Sequence, residues 1–331
     1  MKGIPFVNLD QASEGMDLWG QEGKPFVFIC DYLGEKVWWG SEEEAKDLGI
    51  FVEFNSKPKE AYPFKIQFEK YPMSYKEYLS KFYQVQAGLK RGDSFLVNLT
   101  FPTPIETNLS LSDIYQYAHA KYKLLIKDQL VVFSPEPFIH VSQNKIKAFP
   151  MKGTLVVNNH NSPEDLRKDA KERAEHATIV DLLRNDISQV AFPIQVEEYQ
   201  YIEQVNTNSQ DLWQMSSIIS GELMSDFNNK IGSILKAMLP AGSITGAPKA
   251  ATMEIIQQAE GYSRGFYTGI MGKFDGSTLD SGVLIRFVEY FKEKLVFKSG
   301  GGITVFSDPE KEYLELIQKV YLPIKSNARI S

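Results

Sequence analysis

Segments with a strand-like period of two and segments with a helix-like period of 3.6 follow one another along this chain without the regular strand–helix–strand rhythm of a doubly wound sheet. That irregular order constrains the fold more than any other feature, and it predicts an α+β architecture. Residues 24–30 and 36–39 flank Gly34 as a β-hairpin, and 56–59 reads as a loop. A helix is predicted over 74–91, with Tyr78, Phe82, Val85 and Leu89 on one face and Gly92-Asp93 ending it. A strand over 94–100, a helix near 111–121 and an apolar strand over 130–133 follow. Ser162 as N-cap, Pro163 at the first helical position and Asp165 in the first turn then begin a long helix running to about 184. Helices near 230–238 and 248–259, strands over 267–274, 282–290 and 295–297, and a last helix opened by Asp308-Pro309 complete the chain. No fixed-period repeat, low-complexity stretch or convincing linker divides it.

Composition narrows the class of function. With 36 Lys+Arg against 42 Asp+Glu the 331 residues carry a net charge of −6, and no basic tract offers itself to nucleic acid or an anionic membrane. A single cysteine, Cys30, excludes an internal disulfide framework and a thiolate zinc cluster, which suits a reducing cytoplasm. No apolar run approaches the ~18 residues of a membrane span, and residues 1–15 lack the apolar core of a signal peptide. A soluble cytoplasmic protein acting on something small is expected.

Several constellations carry chemistry. Glu172 and Glu175 share a face of the long helix with Ile179 and Leu182, so the carboxylates extend an apolar stripe. Pairs of this kind are mostly solvated patches. Here Glu312 and Glu315 repeat the spacing on the last helix, and two convergent pairs suit a hard cation bound through oxygen, which points to Mg²⁺ in the absence of a Cys/His cluster. Arg286 lies in an otherwise apolar strand and needs a partner, either a structural ion pair or a substrate carboxylate. Gly300, Gly301 and Gly302 follow a strand and precede the second acidic helix, as a turn or as backbone that a ligand approaches closely. The run from Pro240 to Lys249 is not a phosphate loop, because Gly242 and Gly246 are one residue too close; Pro248 looks like the first helical position, leaving Thr245 and Gly246 at a helix N-terminus able to receive an anion. Lys152, between Met151 and Gly153, becomes a nucleophile only if its surroundings depress its pKa from about 10.4.

Taken together these pieces resemble the chorismate-utilising enzymes, the family of anthranilate, aminodeoxychorismate, isochorismate and salicylate synthases. In the family's order stand Ser134-Pro-Glu136, Pro150-Met-Lys-Gly-Thr154, Glu172-Arg-Ala-Glu-His176, Arg184-Asn-Asp186, Gly242 with Gly246-Ala-Pro-Lys249, Tyr267-x-Gly-x-x-Gly272, Ile285-Arg286, Gly300-Gly-Gly-Ile303 and Asp308-Pro-Glu-Lys-Glu-Tyr-Leu-Glu315. The likeness is strong over 130–320, thinner over 75–130 and faint before 70. Residues 1–70 are therefore read as a short strand region packed on a catalytic domain of 71–331. The resemblance implies antiparallel sheets packed as a two-lobed sandwich with helices outside.

Within the family the lysine at 152 marks the aminodeoxychorismate-forming branch, where anthranilate synthases carry alanine. The resemblance then implies Mg²⁺ held by Glu172, Glu175, Glu312 and Glu315, Glu136 as the acid for the leaving hydroxyl, and Lys152 as a covalent nucleophile. It implies Arg286 and Tyr267 on the enolpyruvyl carboxylate, and Thr245, Gly246, Gly300, Gly301 and Gly302 around a carboxylate. Gln214 stands where pyruvate-eliminating members have histidine, and Leu96 where water-adding members have lysine and ammonia-users glutamine. Cys30 has no nucleophile-elbow glycines, so ammonia is expected from a separate glutamine amidotransferase subunit, with a separate aminodeoxychorismate lyase completing p-aminobenzoate for folate. The competing expectations are an anthranilate synthase component I and a catalytically silent chorismate-binding subunit.

Overall fold

Two antiparallel sheets occupy the centre, and the alternation of side chains along their strands explains why these strands are apolar on both faces. The computed structural model describes residues 3–57, 59–158, 161–205, 212–224 and 226–326. In the strand Phe26–Cys30, Val27 and Ile29 point into a core shared with Leu124, Ile126, Leu130, Val132 and Phe287 of the other sheet. Phe26, Phe28 and Cys30 point the opposite way, against Ala12 and Met16 of the helix Leu9–Gln21 and Ile234 and Leu235 of Ile231–Met238. Val131 and Phe133 likewise turn outward onto Ile114 of the helix Leu111–Tyr117. A period of two thus feeds two cores from one strand, giving layers of helix, sheet, sheet and helix. Truncating a residue in the inter-sheet core, such as Leu124→Ala, is expected to cost about 2–5 kcal/mol.

The nine-stranded sheet runs Met151–Val156, Leu212–Leu223, Lys145–Ala148, Pro137–Ser142, Leu279–Val283, Ile270–Phe274, Phe26–Cys30, Val37–Gly40, with Ala191–Val205 also paired to Leu212–Leu223. The eight-stranded sheet runs Gly246–Ala247, Leu96–Thr107, Lys294–Ile303, Phe287–Phe291, Leu130–Ser134, Tyr122–Ile126, Ile50–Phe54, with Phe68–Lys70 beside Leu96–Thr107. The first 70 residues place strands in both sheets: Phe26–Cys30 pairs with Ile270–Phe274, and Ile50–Phe54 with Tyr122–Ile126. Helices Tyr75–Arg91, Lys249–Glu260 and Pro309–Gln318 cover Val97, Leu99 and Ile303 of the second sheet.

The structure corrects the sequence expectations at places that matter for the site. The long helix is two, Pro163–Lys168 and Ala170–Ser188; Asp169 is extended, and its carboxylate accepts from Glu172 N at 3.0 Å, capping a new helix instead of continuing the old one. The strand expected over 282–290 breaks between Leu279–Val283 and Phe287–Phe291, because Arg286 takes φ +53° and carries the chain from one sheet to the other. The glycine run is not a turn: it lies inside Lys294–Ile303, with Gly300, Gly301 and Gly302 paired to Thr100, Leu99 and Asn98. Pro248 is the N-cap and not the first helical residue of Lys249–Glu260.

Candidate active site

A cavity of about 170 Å³ is lined by Met151–Val156 of the first sheet and by Leu96–Thr107 and Lys294–Ile303 of the second, with side chains from distant parts of the sequence. Lys152 enters from Met151–Val156. The pairing of that strand with Leu212–Leu223 slips between Met151 and Thr154, and Gly153 takes φ +97°, so a bulge re-aims the lysine. A β-carbon at Gly153 would stand 3.2 Å from Glu172 Oε2, so the position needs glycine for its φ and for space. His176 holds the bulge from behind, with its Nδ1 3.0 Å from Lys152 O and its Nε2 2.7 Å from Ser217 Oγ. A carbonyl only accepts, so the partners assign the proton to Nδ1 and leave Nε2 to accept from the hydroxyl. Burial lowers the His176 pKa and keeps the ring neutral.

The Lys152 ammonium lies 3.0 Å from Glu175 Oε2. Burial alone lowers its pKa, but Glu175, Glu315 and Glu172 together outweigh that and hold it above its ordinary value. Both acidic pairs therefore act at one point. Glu175 and Glu312 are buried, Glu315 bonds Lys319 Nζ at 2.6 Å, and Glu312 Oε2 lies 3.6 Å from where a β-carbon on Gly301 would stand. The glycine strand supplies space: a β-carbon at Gly302 would come within 3.6 Å of Lys152 Nζ and 3.0 Å of Leu96 Cδ1.

Glu136 sits at the turn between Leu130–Ser134 and Pro137–Ser142, where Ser134 Oγ accepts from its backbone N–H at 3.1 Å. Ser243 Oγ donates to Glu136 Oε1 at 3.0 Å. Burial raises the Glu136 pKa, while Ser243, Lys152, Lys319 and Arg286 pull it down, so three cations surround one carboxyl. Arg286 donates through Nη1 to Lys319 O at 3.0 Å and lies 5.2 Å from the centre of the Tyr321 ring, while its buried Nε meets no hydrogen-bond partner among the described residues. Tyr267 lies on the same wall, with its phenol pushed up by burial. A cavity edged by one carboxyl, Glu136, and four cations, Lys152, Arg286, Lys298 and Lys319, suits a small polyanion.

The pattern of the chorismate binding enzymes matches residues 35–325 of this sequence. The chain belongs to the chorismate binding enzyme family. It is 46% identical over 310 residues to an uncharacterized PabA-like protein of Haemophilus influenzae, covering 93% of this chain and 94% of that one. To the aminodeoxychorismate synthase component 1 of Salmonella typhimurium it is 34% identical over 262 residues, 74% of this chain and 56% of that one. The solved anthranilate synthase component I of Streptococcus pneumoniae superposes with a TM-score of 0.64 at 25% identity, over 80% of this chain and 60% of that one. The protein is thus a chorismate-utilising enzyme of the type to which these two synthases belong.

In this chorismate-binding chain the expected site residues divide. Lys152, Glu136, Arg286, Tyr267, Gly300, Gly301 and Gly302 face one cavity. Thr245 and Gly246 stand behind its wall: Thr245 Oγ1 donates to Ala241 O at 3.0 Å, and Gly246 pairs with Val97, where a β-carbon would lie 1.8 Å from Leu96 O. Their neighbours Ser243 and Ile244 face the cavity instead. Leu96 is on the wall, and Gln214 lines an adjoining cavity of about 440 Å³ that shares Met151 and Arg286. Asp211, which opens the segment compared with the histidine stretch, lies outside the described residues.

Three contributors were not singled out from sequence: Ser243, Asn98 and Lys319. Lys319 carried a usable signal, since it lies four residues beyond Glu315 and seven beyond Glu312, on one helix face. Its Nζ donates to Gly300 O at 3.0 Å as well as meeting Glu315, and burial lowers its pKa.

The four glutamates offer the all-oxygen donor set of a hard divalent cation, two of them buried. Among the described residues no three acidic, histidine or cysteine side chains form a ready metal cluster. Glu175 and Glu315 instead engage Lys152 and Lys319. The residue types fit Mg²⁺, provided these two carboxylates exchange an ammonium for the ion.

Proposed function

We propose that the protein forms 4-amino-4-deoxychorismate from chorismate and ammonia, with Mg²⁺ as cofactor and Lys152 as covalent nucleophile. The observation that carries this reading is Lys152 on its bulge, aimed into the cavity between Glu175 and Gly302. Arg286 and Lys319 supply positive charge for the two carboxylates of chorismate, with Tyr267 beside Arg286 as a hydrogen-bond donor. Bound by Glu172, Glu175, Glu312 and Glu315, the cation supplies positive charge that offsets the field now keeping Lys152 an ammonium.

Deprotonated Lys152 attacks C2 of the ring, the two ring double bonds shift, and the C4–O bond breaks. Glu136, whose pKa burial raises, gives its proton to the departing hydroxyl, which leaves as water. The ammonium formed at C2 returns a proton to Glu136; ammonia then bonds to C4, the double bonds shift back, and the C2–N bond breaks as the proton shed by the new C4 ammonium passes to the departing Lys152 amine. The ammonia comes from a separate glutamine amidotransferase subunit: Cys30 is buried and its thiol is pushed up by burial, so it is no candidate for glutamine hydrolysis. A downstream aminodeoxychorismate lyase completes p-aminobenzoate for folate, and the cytoplasm suits this pathway; no helix among the described residues is long and apolar enough to cross a membrane.

The test is turnover of chorismate with ammonium and Mg²⁺, products resolved by mass, in the wild type and in Lys152→Ala. Aminodeoxychorismate from the wild type alone supports the reading. Anthranilate with pyruvate points to the anthranilate synthase alternative, and no product in either points to a silent chorismate-binding subunit.

A further inference from the structure

Behind the cavity lies a buried ion pair that none of the chemistry above uses. Arg264 is 3% exposed and Glu260 5%. Arg264 Nε and Nη2 donate to the two oxygens of Glu260 at 2.9 and 2.6 Å. Its remaining N–H groups all reach segments that shape the site. Nη2 donates to Asn98 O at 2.6 Å, and Nη1 donates to Ile244 O and Thr268 Oγ1, both at 3.1 Å. All five guanidinium N–H donors are therefore engaged. Glu260 Oε1 also accepts from Thr100 N and Oγ1, at 2.9 and 2.8 Å.

These anchored points are immediate neighbours of the groups proposed to act. Ile244 follows Ser243, the donor to Glu136, and Ile244 O also accepts from Asn98 Nδ2 at 3.0 Å. Thr268 follows Tyr267 and holds φ +66°, a strained conformation that its surroundings must enforce. Thr268 N donates to Leu284 O at 2.9 Å, at the start of the break that presents Arg286. Lys298, on the cavity wall, donates to Arg264 O at 2.8 Å. An apolar pair in place of a buried ion pair is often neutral or stabilising, so stability alone does not explain this one.

We propose that Arg264, oriented by Glu260, is a positioning residue: it sets the Asn98 strand, the Ser243–Ile244 loop and the Tyr267–Arg286 wall at the mutual distances the reaction needs. The inference rests on the reaction proposed above.

Arg264→Met/Glu260→Gln removes both charges together and leaves no unpaired buried ion, while Arg264→Lys keeps the charge without the planar fork. For the double variant we expect a single cooperative thermal transition and kcat per folded molecule lowered by about 10- to 100-fold, the range a misplacement near 1 Å produces. Weaker chorismate binding by calorimetry without ammonium, and an activity limb of Glu136 moved to higher pH as Ser243 loses its anchor, are also expected. Arg264→Lys falls between double variant and wild type. A double variant that does not fold, or one whose kcat, chorismate affinity and pH limb all match the wild type per folded molecule, overturns the proposal. Should the wild type yield a different product, the reaction reading fails while the loss of chorismate affinity still tests the brace.

Discussion

Lys152 Nζ lies 3.0 Å from Glu175 Oε2, so one candidate nucleophile and one candidate cation ligand hold each other. Each is placed by the other's helix or strand: His176, next to Glu175, bonds the carbonyl of Lys152, and the φ of Gly153 turns the lysine toward the acids. The candidate nucleophile and the candidate cation ligands therefore form one structural unit. Glu175→Gln is expected to weaken Mg²⁺ binding at least ~10-fold, the scale seen when a metal site loses a supporting group. Calorimetric titration of Mg²⁺ checks this, and an unchanged affinity would remove Glu175 from the ligand set.

Replacing His176 by Phe leaves Lys152 O and Ser217 Oγ without their buried partner. A destabilisation of about 1–3 kcal/mol follows from the unsatisfied polar groups, read by urea unfolding. Because the bulge loses its tether, kcat should fall about 10-fold or more while His176→Gln, whose amide both donates and accepts, retains part of it.

Ser243→Ala tests the acid. Burial holds the Glu136 pKa above the usual range and Ser243 pulls it back, so losing the hydroxyl lets it rise further. An acid that must be protonated stays active until pH passes its pKa, so the alkaline limb of the rate profile should move to higher pH. Movement toward lower pH, or none, would separate Ser243 from Glu136.

Gly302→Ala adds a β-carbon 3.0 Å from Leu96 Cδ1 and 3.6 Å from Lys152 Nζ. The leucine tip can yield, so thermal stability should change little, whereas KM for chorismate should rise about 10-fold, roughly 1.4 kcal/mol of lost binding. Steady-state kinetics beside a melting curve separates the two effects.

How much of this was legible in the sequence depends on whether the signal was local. The helix from Tyr75 to Arg91 was, because Ser74 and Glu77 form a capping box and Gly92 takes the left-handed cap. The helix break at Asp169 was not, since that aspartate sits among good helix formers and only its bond to Glu172 N reveals a cap. Nor was the break at Arg286: an apolar run reads as one strand, while the left-handed turn there arises from pairing with two different sheets. The glycines at 300–302 read as a turn or as backbone open to a ligand; the turn is not adopted, and within their strand Gly301 and Gly302 leave space beside Glu312 and Lys152. Ser243 carried no signal of its own, a lone serine whose partner lies 107 residues away.

The central claim is that Lys152 forms a bond to the substrate on the way to aminodeoxychorismate. Mass spectrometry of the intact protein, incubated with chorismate and Mg²⁺ without ammonium and then denatured, tests it most directly. The account predicts a population heavier by chorismate less one water, mapping to Lys152, absent from Lys152→Ala and discharged as aminodeoxychorismate when ammonium is added. An unmodified wild-type protein that nonetheless makes aminodeoxychorismate at the same rate as Lys152→Ala would contradict it.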